Sequence, residues 1–314
     1  MRVLVAGATG AVGRPLVRML VSAGHDVVGT TSRPEATGAV NELGATPVVM
    51  DGLDPVSVRR AVLETGPDVV IHELTALKTM TGNMRKLDAD FAVTSRLRTE
   101  ATDSLLAAAR ESGAKRFIAQ SFTGWTNQKT GDGLATEDEP LDPHPTKHSQ
   151  KTLAAIAHLE KVVPAATGMT GIVLRYGFLY GPGTGLEPGG DMAELIRKGR
   201  FPVAGGGGGV WPFVHVEDAA SATVRAVEQG DAGIYNVVDD DPAPVRDWLP
   251  AMAEAIGAKR PMRVPRWLGR IVAGDHAVSL MTSVRGSSNA KAKRELGWEP
   301  SYPSWREGFR TGFG

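Results

Sequence analysis

Three glycines close to the start of the chain have the spacing of a phosphate-binding turn. Gly7, Gly10 and Gly13 follow the apolar run Arg2–Ala6 and precede a helical pattern. The first glycine permits a tight turn, the second lets backbone N–H groups approach a pyrophosphate, and the third brings the helix close to the strand. The positive end of that helix then faces the phosphates. The turn residues expected to contact a dinucleotide are Gly7, Thr9, Gly10, Ala11, Val12 and Gly13.

The end of the second predicted strand indicates which dinucleotide binds. An acidic residue there would bind the ribose 2′-hydroxyl and repel a 2′-phosphate, but none follows the strand before Glu35. Arg33 and Ser32 instead offer a guanidinium and a hydroxyl to a 2′-phosphate. This pattern favours NADPH, with NADH left open. The alternative is that Arg33 is simply solvated.

A third strand end adds two expected contacts. Asp51 follows the predicted strand Thr46–Met50, where a carboxylate can accept from the adenine amino group. The alternative is that Asp51 and Gly52 form the turn that starts the next helix.

These residues are positioned by strands and helices that alternate through the first half of the chain. The predicted strands are Arg2–Ala6, Asp26–Thr30, Thr46–Met50, Asp68–Glu73, Arg116–Gln120 and Gly171–Tyr176. The predicted helices are Arg14–Ala23, Glu35–Leu43, Pro55–Glu64, Ala89–Ser112 and Thr152–Ala166. Such alternation predicts an α/β fold of the Rossmann type, a doubly wound parallel sheet that binds ligands at the carboxyl ends of its strands.

The alternation weakens after Tyr176, where glycine-rich and proline-rich loops begin. A strand near Val210–Val216, a helix from Glu217 and a strand at Gly233–Val238 predict a return to the sheet. We therefore expect an NAD(P)-binding Rossmann domain over residues 1–175. A smaller C-terminal substrate-binding region covers residues 176–314, of which 210–238 return to the Rossmann sheet.

Composition excludes several classes of protein. The chain has 35 basic and 35 acidic residues and therefore no excess charge to attract nucleic acid. It has no cysteine for disulfides, thiolate zinc sites or cysteine nucleophiles. No apolar stretch approaches the ~20 residues of a membrane span, and the sequence begins directly in the first strand, so we expect a cytoplasmic protein. His144 and His148 have the spacing of helical metal ligands, but the neighbouring prolines argue against a helix, and we expect no metal.

Later motifs, together with the glycine turn, resemble the extended short-chain dehydrogenase/reductase superfamily, the NAD-dependent epimerase/dehydratase group. The matching segments are Gly7–Gly13, Asp51–Asp54, Arg175 with Tyr180–Gly183, Phe213–Asp218, Tyr235–Val237 and Glu295–Trp298. The resemblance implies a nicotinamide cofactor. It also implies that small residues after the fourth strand line the pyrophosphate and ribose, which places Leu74 and Thr75 at the cofactor. His72 departs from the family pattern and is either a proton donor or a packed strand-end residue.

The same resemblance implies a Tyr-x-x-x-Lys pair beside the nicotinamide, yet none of the four tyrosines is followed by lysine at that spacing. Lys151 is a candidate for the family lysine, with Lys147 in place of the tyrosine. The alternative is that both lysines are a solvated helix start, since Glu160 lies farther from Lys151 than the family pattern has it. Ser121 or Thr123 is the candidate hydroxyl for the substrate carbonyl, unless these side chains cap the local backbone.

The missing tyrosine directs the prediction of function. Reduction of a ketone asks less of the protein than oxidation of an unactivated alcohol, because hydride attack needs only a polarised carbonyl and a later proton. We therefore predict an NAD(P)H-dependent ketoreductase, similar to the atypical members of the superfamily that act on aromatic polyketides such as angucyclinones in antibiotic biosynthesis. A nucleotide-sugar epimerase or dehydratase and a non-catalytic NADP sensor are the alternatives. The expected partner is a small-molecule ketone, with no nucleic acid or membrane, and the protein is a monomer or a homodimer.

Overall fold

The computed structural model of the protein describes residues 1–77 and 83–313. Its strands are, in chain order, β1 (Arg2–Ala6), β2 (Asp26–Thr31), β3 (Thr46–Val49), β4 (Val69–His72), β5 (Arg116–Phe122), β6 (Thr170–Tyr176), β7 (Phe178–Tyr180), β8 (Val203–Ala204), β9 (Val210–Trp211), β10 (Phe213–His215), β11 (Gly233–Val237), β12 (Ala243–Pro244) and β13 (Arg263–Val264). Its helices are α1 (Gly13–Ser22), α2 (Thr37–Asn41), α3 (Pro55–Thr65), α4 (Leu87–Asp90), α5 (Ala92–Arg96), α6 (Thr102–Ser112), α7 (Gln150–Val162), α8 (Asp191–Arg197), α9 (Val216–Glu228), α10 (Val245–Ala255), α11 (Arg266–Thr282), α12 (Ala290–Leu296) and α13 (Trp305–Thr311).

The central sheet is parallel and has the strand order β11-β6-β5-β4-β1-β2-β3. Val5 of β1 pairs with Gly29 of β2 on one side and with Ile71 of β4 on the other. The order reverses at β1, so a crevice opens at the carboxyl ends of β1 and β4. The α/β Rossmann fold predicted from the sequence is therefore confirmed.

Both faces of the sheet are buried, which explains why its strands are continuous apolar runs. Val3, Val5 and Ile71 pack in the core formed with α1 and α9. Leu4 and Val70 point the other way, into the core formed with α3, α6 and α7. Each such side chain contributes ~1.5–3 kcal/mol of transfer free energy on burial. The alternation of side chains along a strand thus assigns every residue at the carboxyl edge to one face.

The prediction of a single helix over Ala89–Ser112 is wrong. The segment consists of α4, α5, a π-helical turn at Leu97–Ala101, and α6. His72 Nε2 lies 3.1 Å from the Leu97 carbonyl oxygen, and the Thr102 hydroxyl donates to the same oxygen at 3.4 Å. An uninterrupted α-helix would give that carbonyl to a backbone N–H four residues on, so these side chains favour the wider turn.

The segment 210–238 reaches the central sheet through β11, which pairs with β6. The predicted strand Val210–Val216 does not join it. The segment divides at Pro212, and the resulting β9 and β10 pair with β12 and β7 outside the sheet. Proline has no N–H to donate to a ladder, which accounts for the break. These short strands belong to a second core that contains Trp211, Trp248 and Trp305.

We predict that Gly13→Ala lowers the free energy of unfolding by about 1–3 kcal/mol, the usual cost of overpacking. A Cβ at this position would overlap the carbonyl oxygen of Gly7, so α1 must move away from the turn. Gly38→Ala is the matched control because its Cβ would meet nothing within 4 Å and it lies in α2. Urea unfolding measures both variants, and an equal stability of the two would contradict the close approach.

Candidate cofactor and active site

The glycine turn joins β1 to α1 by a very close backbone approach. Gly7 has a φ of +102°, and a Cβ there would lie 2.7 Å from the carbonyl oxygen of Glu73. The Gly10 N–H donates to the Gly7 carbonyl at 3.0 Å. Gly13, buried against the same carbonyl, begins the helix. The turn therefore requires glycine at its first and third positions for packing alone.

The turn also fits an anion. No acidic residue lies in the first turn of α1, and the residue before it, Val12, gives no side-chain cap. The positive end of the helix dipole is consequently left for a ligand. Gly183, in the loop after β7, approaches from above, since a Cβ there would lie 3.4 Å from Ala11. Thr9 is half-buried within the turn. These residues suit the pyrophosphate of a nicotinamide dinucleotide.

The end of β2 presents the residues expected at a 2′-phosphate. The Arg33 N–H donates to the Thr31 hydroxyl at 3.2 Å, which fixes a tight turn after the strand. Ser32 and Arg33 are both exposed on this turn. Within the described residues, the Arg33 guanidinium has no carboxylate partner. Its charge is therefore available to a phosphate.

The end of β3 carries a local turn. Asp51 Oδ1 accepts from the backbone N–H two residues on at 2.9 Å, whereas the cap of α3 is Asp54. Gly52 is buried against Leu74, whose Cδ1 would lie 2.6 Å from a Cβ at position 52. Thr75 is exposed beyond it. The structure thus brings Asp51, Gly52, Leu74 and Thr75 to one edge, and an adenine contact of Asp51 stays a prediction.

A buried ion pair anchors α7 to the sheet. Glu160 accepts from Arg175 at both carboxylate oxygens, with Nε to Oε1 at 2.8 Å and Nη2 to Oε2 at 2.6 Å. The Ser121 hydroxyl donates to Oε1 at 2.7 Å. All three side chains are buried. Sequence reasoning found Glu160 and Arg175 only as separate landmarks, because their contact joins a helix to a strand.

This anchor decides which face of α7 is turned to the sheet. Residues four apart share a helix face, so Ile156 and Thr152 precede Glu160 on the inner side. Both are buried. The N–H and hydroxyl of Thr152 each donate to Asp88 Oδ1 at 2.8 Å. The inner face of α7 therefore carries neither tyrosine nor lysine.

The two candidate lysines lie elsewhere. Lys147 and Lys151 are both exposed at the start of α7. The structure thus supports the solvated alternative, and a catalytic role for Lys151 would require its side chain to turn inward past the first turn of the helix.

The candidate hydroxyls at the end of β5 are engaged within the protein. Thr123 is fully buried, with its Oγ1 2.7 Å from the Ser287 hydroxyl and accepting from Asn127 at 2.9 Å. Ser121 is bound to Glu160. Contact of either hydroxyl with a substrate would require these bonds to be exchanged.

Aromatic rings surround the same strand end. Phe122 is half-buried and meets Phe178 edge-on, with ring centroids 5.1 Å apart. Trp125, also half-buried, lies 6.2 Å from Phe122. The expectation that Trp211, Phe213 and Tyr176 line an aromatic pocket is not supported, because all three are buried in cores. The partly exposed ring surface belongs to Phe122, Trp125 and Phe178.

The two residues that end β4 behave differently from ordinary acids and bases. His72 accepts from the Leu74 N–H at Nδ1, and burial lowers its pKa to about 4. It is therefore neutral and packed rather than a proton donor. Glu73 accepts from the Tyr176 hydroxyl at 2.8 Å, and its other oxygen, Oε2, is buried without a partner. Burial raises the pKa of Glu73 to about 8.

Two further features were sought over residues 1–77 and 83–313. No group of three or more histidine, aspartate or glutamate side chains is arranged there to hold a metal ion. None of the helices in these ranges is both long and apolar enough to span a membrane.

Comparisons with known proteins agree with this geometry. The model of the NAD dependent epimerase/dehydratase family matches residues 3–238. A 3-diazoavenalumate denitrifying reductase from a Streptomyces species is 43% identical over 98% of this chain and 99% of its own length. A 4-hydroxy-2-methyl-3-oxo-4-farnesyl-3,4-dihydroquinoline-1-oxide ketoreductase from Stigmatella aurantiaca is 30% identical over 82% of this chain and 74% of its own. The UDP-glucose 4-epimerase of Thermus thermophilus, solved with NAD, has a TM-score of 0.73 at 27% identity, over 99% of this chain and 97% of that one.

We predict that Glu73→Gln weakens the dependence of stability on pH. The folded chain holds the Glu73 proton up to about pH 8, against an ordinary pKa of 4.5. Between these values the folded state binds more protons than the unfolded state, so the free energy of unfolding falls as pH rises. The variant should therefore gain about 1 kcal/mol or more on the natural chain between about pH 5 and pH 8.

Urea unfolding at several pH values measures this difference. Glu64→Gln, at an exposed position on α3, is the control and should follow the natural chain throughout. If Glu73→Gln also follows it in parallel, the buried protonated acid is disproved.

Proposed function

Since the chain belongs to the NAD dependent epimerase/dehydratase family and is an NAD(P)H-dependent oxidoreductase, we propose that it reduces a small aromatic acceptor without a side-chain proton donor. The cofactor, when bound, supplies a hydride. The observation that carries the proposal is the inner face of α7, where Thr152 and Ile156 lie in line with Glu160. Neither side chain is an acid, and the Thr152 hydroxyl is held by Asp88.

The acceptor that best suits such a site is an aryl diazo group. An aryl diazonium that takes up a hydride becomes an arene and releases N₂, and this reaction balances without any proton. The relative that is 43% identical is named a denitrifying reductase of a diazo compound, which supports the same class of acceptor here.

A ketone is the second candidate. A ketone that takes up a hydride needs one proton to become an alcohol, and water or the substrate's own hydroxyl supplies it where no side chain does. The relative named a ketoreductase favours this acceptor. An epimerase or dehydratase reaction is less suited, because oxidation of an alcohol needs a base at its hydroxyl.

The partly exposed rings support an aromatic acceptor. Phe122, Trp125 and Phe178 lie where the carboxyl end of β5 meets the second core. Aromatic rings stack on or meet one another edge-on with a gain of ~0.5–1.5 kcal/mol beyond area burial. A planar substrate would be held there across the end of the sheet.

We predict that the protein oxidises NADPH with a hydroxy-substituted benzenediazonium salt and releases N₂. NADPH deuterated at its transferring carbon should leave deuterium on the arene at the former diazo position. Heat-denatured protein measures the spontaneous reaction. The second arm uses o-hydroxyacetophenone and detects the alcohol. Absence of enzymatic NADPH oxidation in both arms would overturn the proposed reductase.

The variant Lys151→Ala belongs to this experiment. Because Lys151 is exposed, the variant should keep kcat within about twofold. A loss of 100-fold or more would instead return the proton-handling role to Lys151.

We propose that the preferred cofactor is NADPH, bound at its 2′-phosphate by Arg33 and Ser32. We predict that Arg33→Ala raises the Kd for NADPH about tenfold, the cost of one charge-assisted contact, and leaves that for NADH unchanged. Arg60→Ala, at an exposed position on α3, is the matched control. Fluorescence titration of both cofactors measures the affinities, and an equal loss for NADH and NADPH would refute the phosphate contact.

A further inference from the structure

Arg98 is a buried cation without a partner in the described chain. Its side chain is only 7% exposed, and the Nε and Nη1 atoms are both buried with no hydrogen-bond acceptor. A guanidinium offers five N–H donors in a fixed plane. Leaving several of them unpaired away from water is strongly unfavourable. The residue is therefore better suited to a ligand than to the ligand-free fold.

The π-helical turn places Arg98 at the ligand-binding edge of the sheet. The turn is tied to β4 by the contact of His72 with the Leu97 carbonyl. On its other side it packs against α7. Ligands in this class of fold bind at the carboxyl ends of the strands. The Arg98 side chain thus lies between the end of β4 and the inner face of α7.

The charges around Arg98 leave one positive charge unmatched. Glu160 is the nearby carboxylate, and Arg175 and Ser121 already occupy both of its oxygens. His72 contributes no charge, because burial, assisted by the positive charge of Arg98, lowers its pKa to about 4. Burial lowers the pKa of Arg98 itself to about 10, which keeps the guanidinium charged at neutral pH. Two guanidinium groups therefore share one carboxylate.

We propose that Arg98 binds an anionic oxygen of the aromatic substrate, either a carboxylate or an ionised phenol. This inference rests on the proposed function and names what that site recognises. The substrate anion supplies the missing negative charge and accepts from the unpaired N–H groups. Arg98 thereby selects acidic over neutral aromatic acceptors and holds them at the end of the sheet.

Binding to the NADP⁺ complex of the full chain tests the proposal without turnover. The first arm compares benzoate with benzamide, and the second compares 4-nitrophenolate with nitrobenzene, each by calorimetric titration. The natural protein should bind the anion at least about tenfold more tightly in one of the arms, which then identifies the source of the oxygen. Arg98→Gln should abolish that preference, and Arg98→Lys should retain part of it.

Arg96→Gln is the matched control, because Arg96 is exposed two residues away and pairs with Glu100. It should keep the full preference for the anion. NADP⁺ affinity should stay within about twofold in every variant, since the proposed ligand is not the cofactor phosphate. A natural protein without preference for either anion, or an Arg98→Gln variant that keeps it, overturns the proposal. So does an equal loss of NADP⁺ affinity.

Thermal unfolding of the ligand-free protein is the second measurement. Removal of an unpaired buried charge should leave the Tm of Arg98→Gln equal or higher. A large fall in Tm, or failure of the variant to fold, would assign Arg98 a structural role and contradict the proposal. The binding test is also separate from turnover. A protein that binds benzoate through Arg98 but oxidises no NADPH contradicts only the proposed reaction, whereas turnover without dependence on Arg98 contradicts only this inference.

Discussion

The buried ion pair between Glu160 and Arg175 is the interaction on which the candidate site depends. It joins α7 to β6, and the Ser121 hydroxyl extends it to β5. A buried pair of this kind is stable only when its remaining lone pairs and protons are satisfied, which the bidentate geometry and the hydroxyl achieve here. Because the helix cannot rotate without breaking these bonds, every other residue of α7 has its direction fixed. The inner positions then belong to Ile156 and Thr152, and the lysines face water.

The consequence for chemistry is a separation of cofactor binding from proton handling. The glycine turn and the free end of α1 suit a dinucleotide, as throughout the family. Around the expected acceptor, however, the polar groups are used by the protein itself. Ser121 is bound to Glu160, Thr123 to Ser287 and Asn127, and His72 to the turn at Leu97. An acceptor that needs only a hydride suits this arrangement better than one that needs a base.

Several motifs that look chemical in sequence serve the packing of the second core. His215 is buried and lies 2.8 Å from the Gly312 carbonyl oxygen, while its Nδ1 accepts from the N–H of Glu217 at 3.2 Å. Asp218 accepts from the backbone N–H groups of Ser301 and Tyr302 at 2.7 and 2.9 Å. These contacts attach the C-terminal segment to α9. The motif Phe213–Asp218 therefore supports the fold, and its histidine and carboxylate are not free for catalysis.

The sequence by itself determined the features that are local along the chain. Glycine spacing, apolar strands and the alternation with helices predicted the Rossmann sheet and its phosphate-binding turn, because each depends on residues within a few positions of one another. The tertiary structure alone decided which side chains meet at the site. Glu160 reaches Ser121 across 39 positions, and His72 reaches Leu97 across 25. Such pairs set the direction of α7 and the π-helical turn that holds Arg98. Local pattern cannot reveal them, because helix rotation and burial are fixed by packing between elements that are distant in sequence.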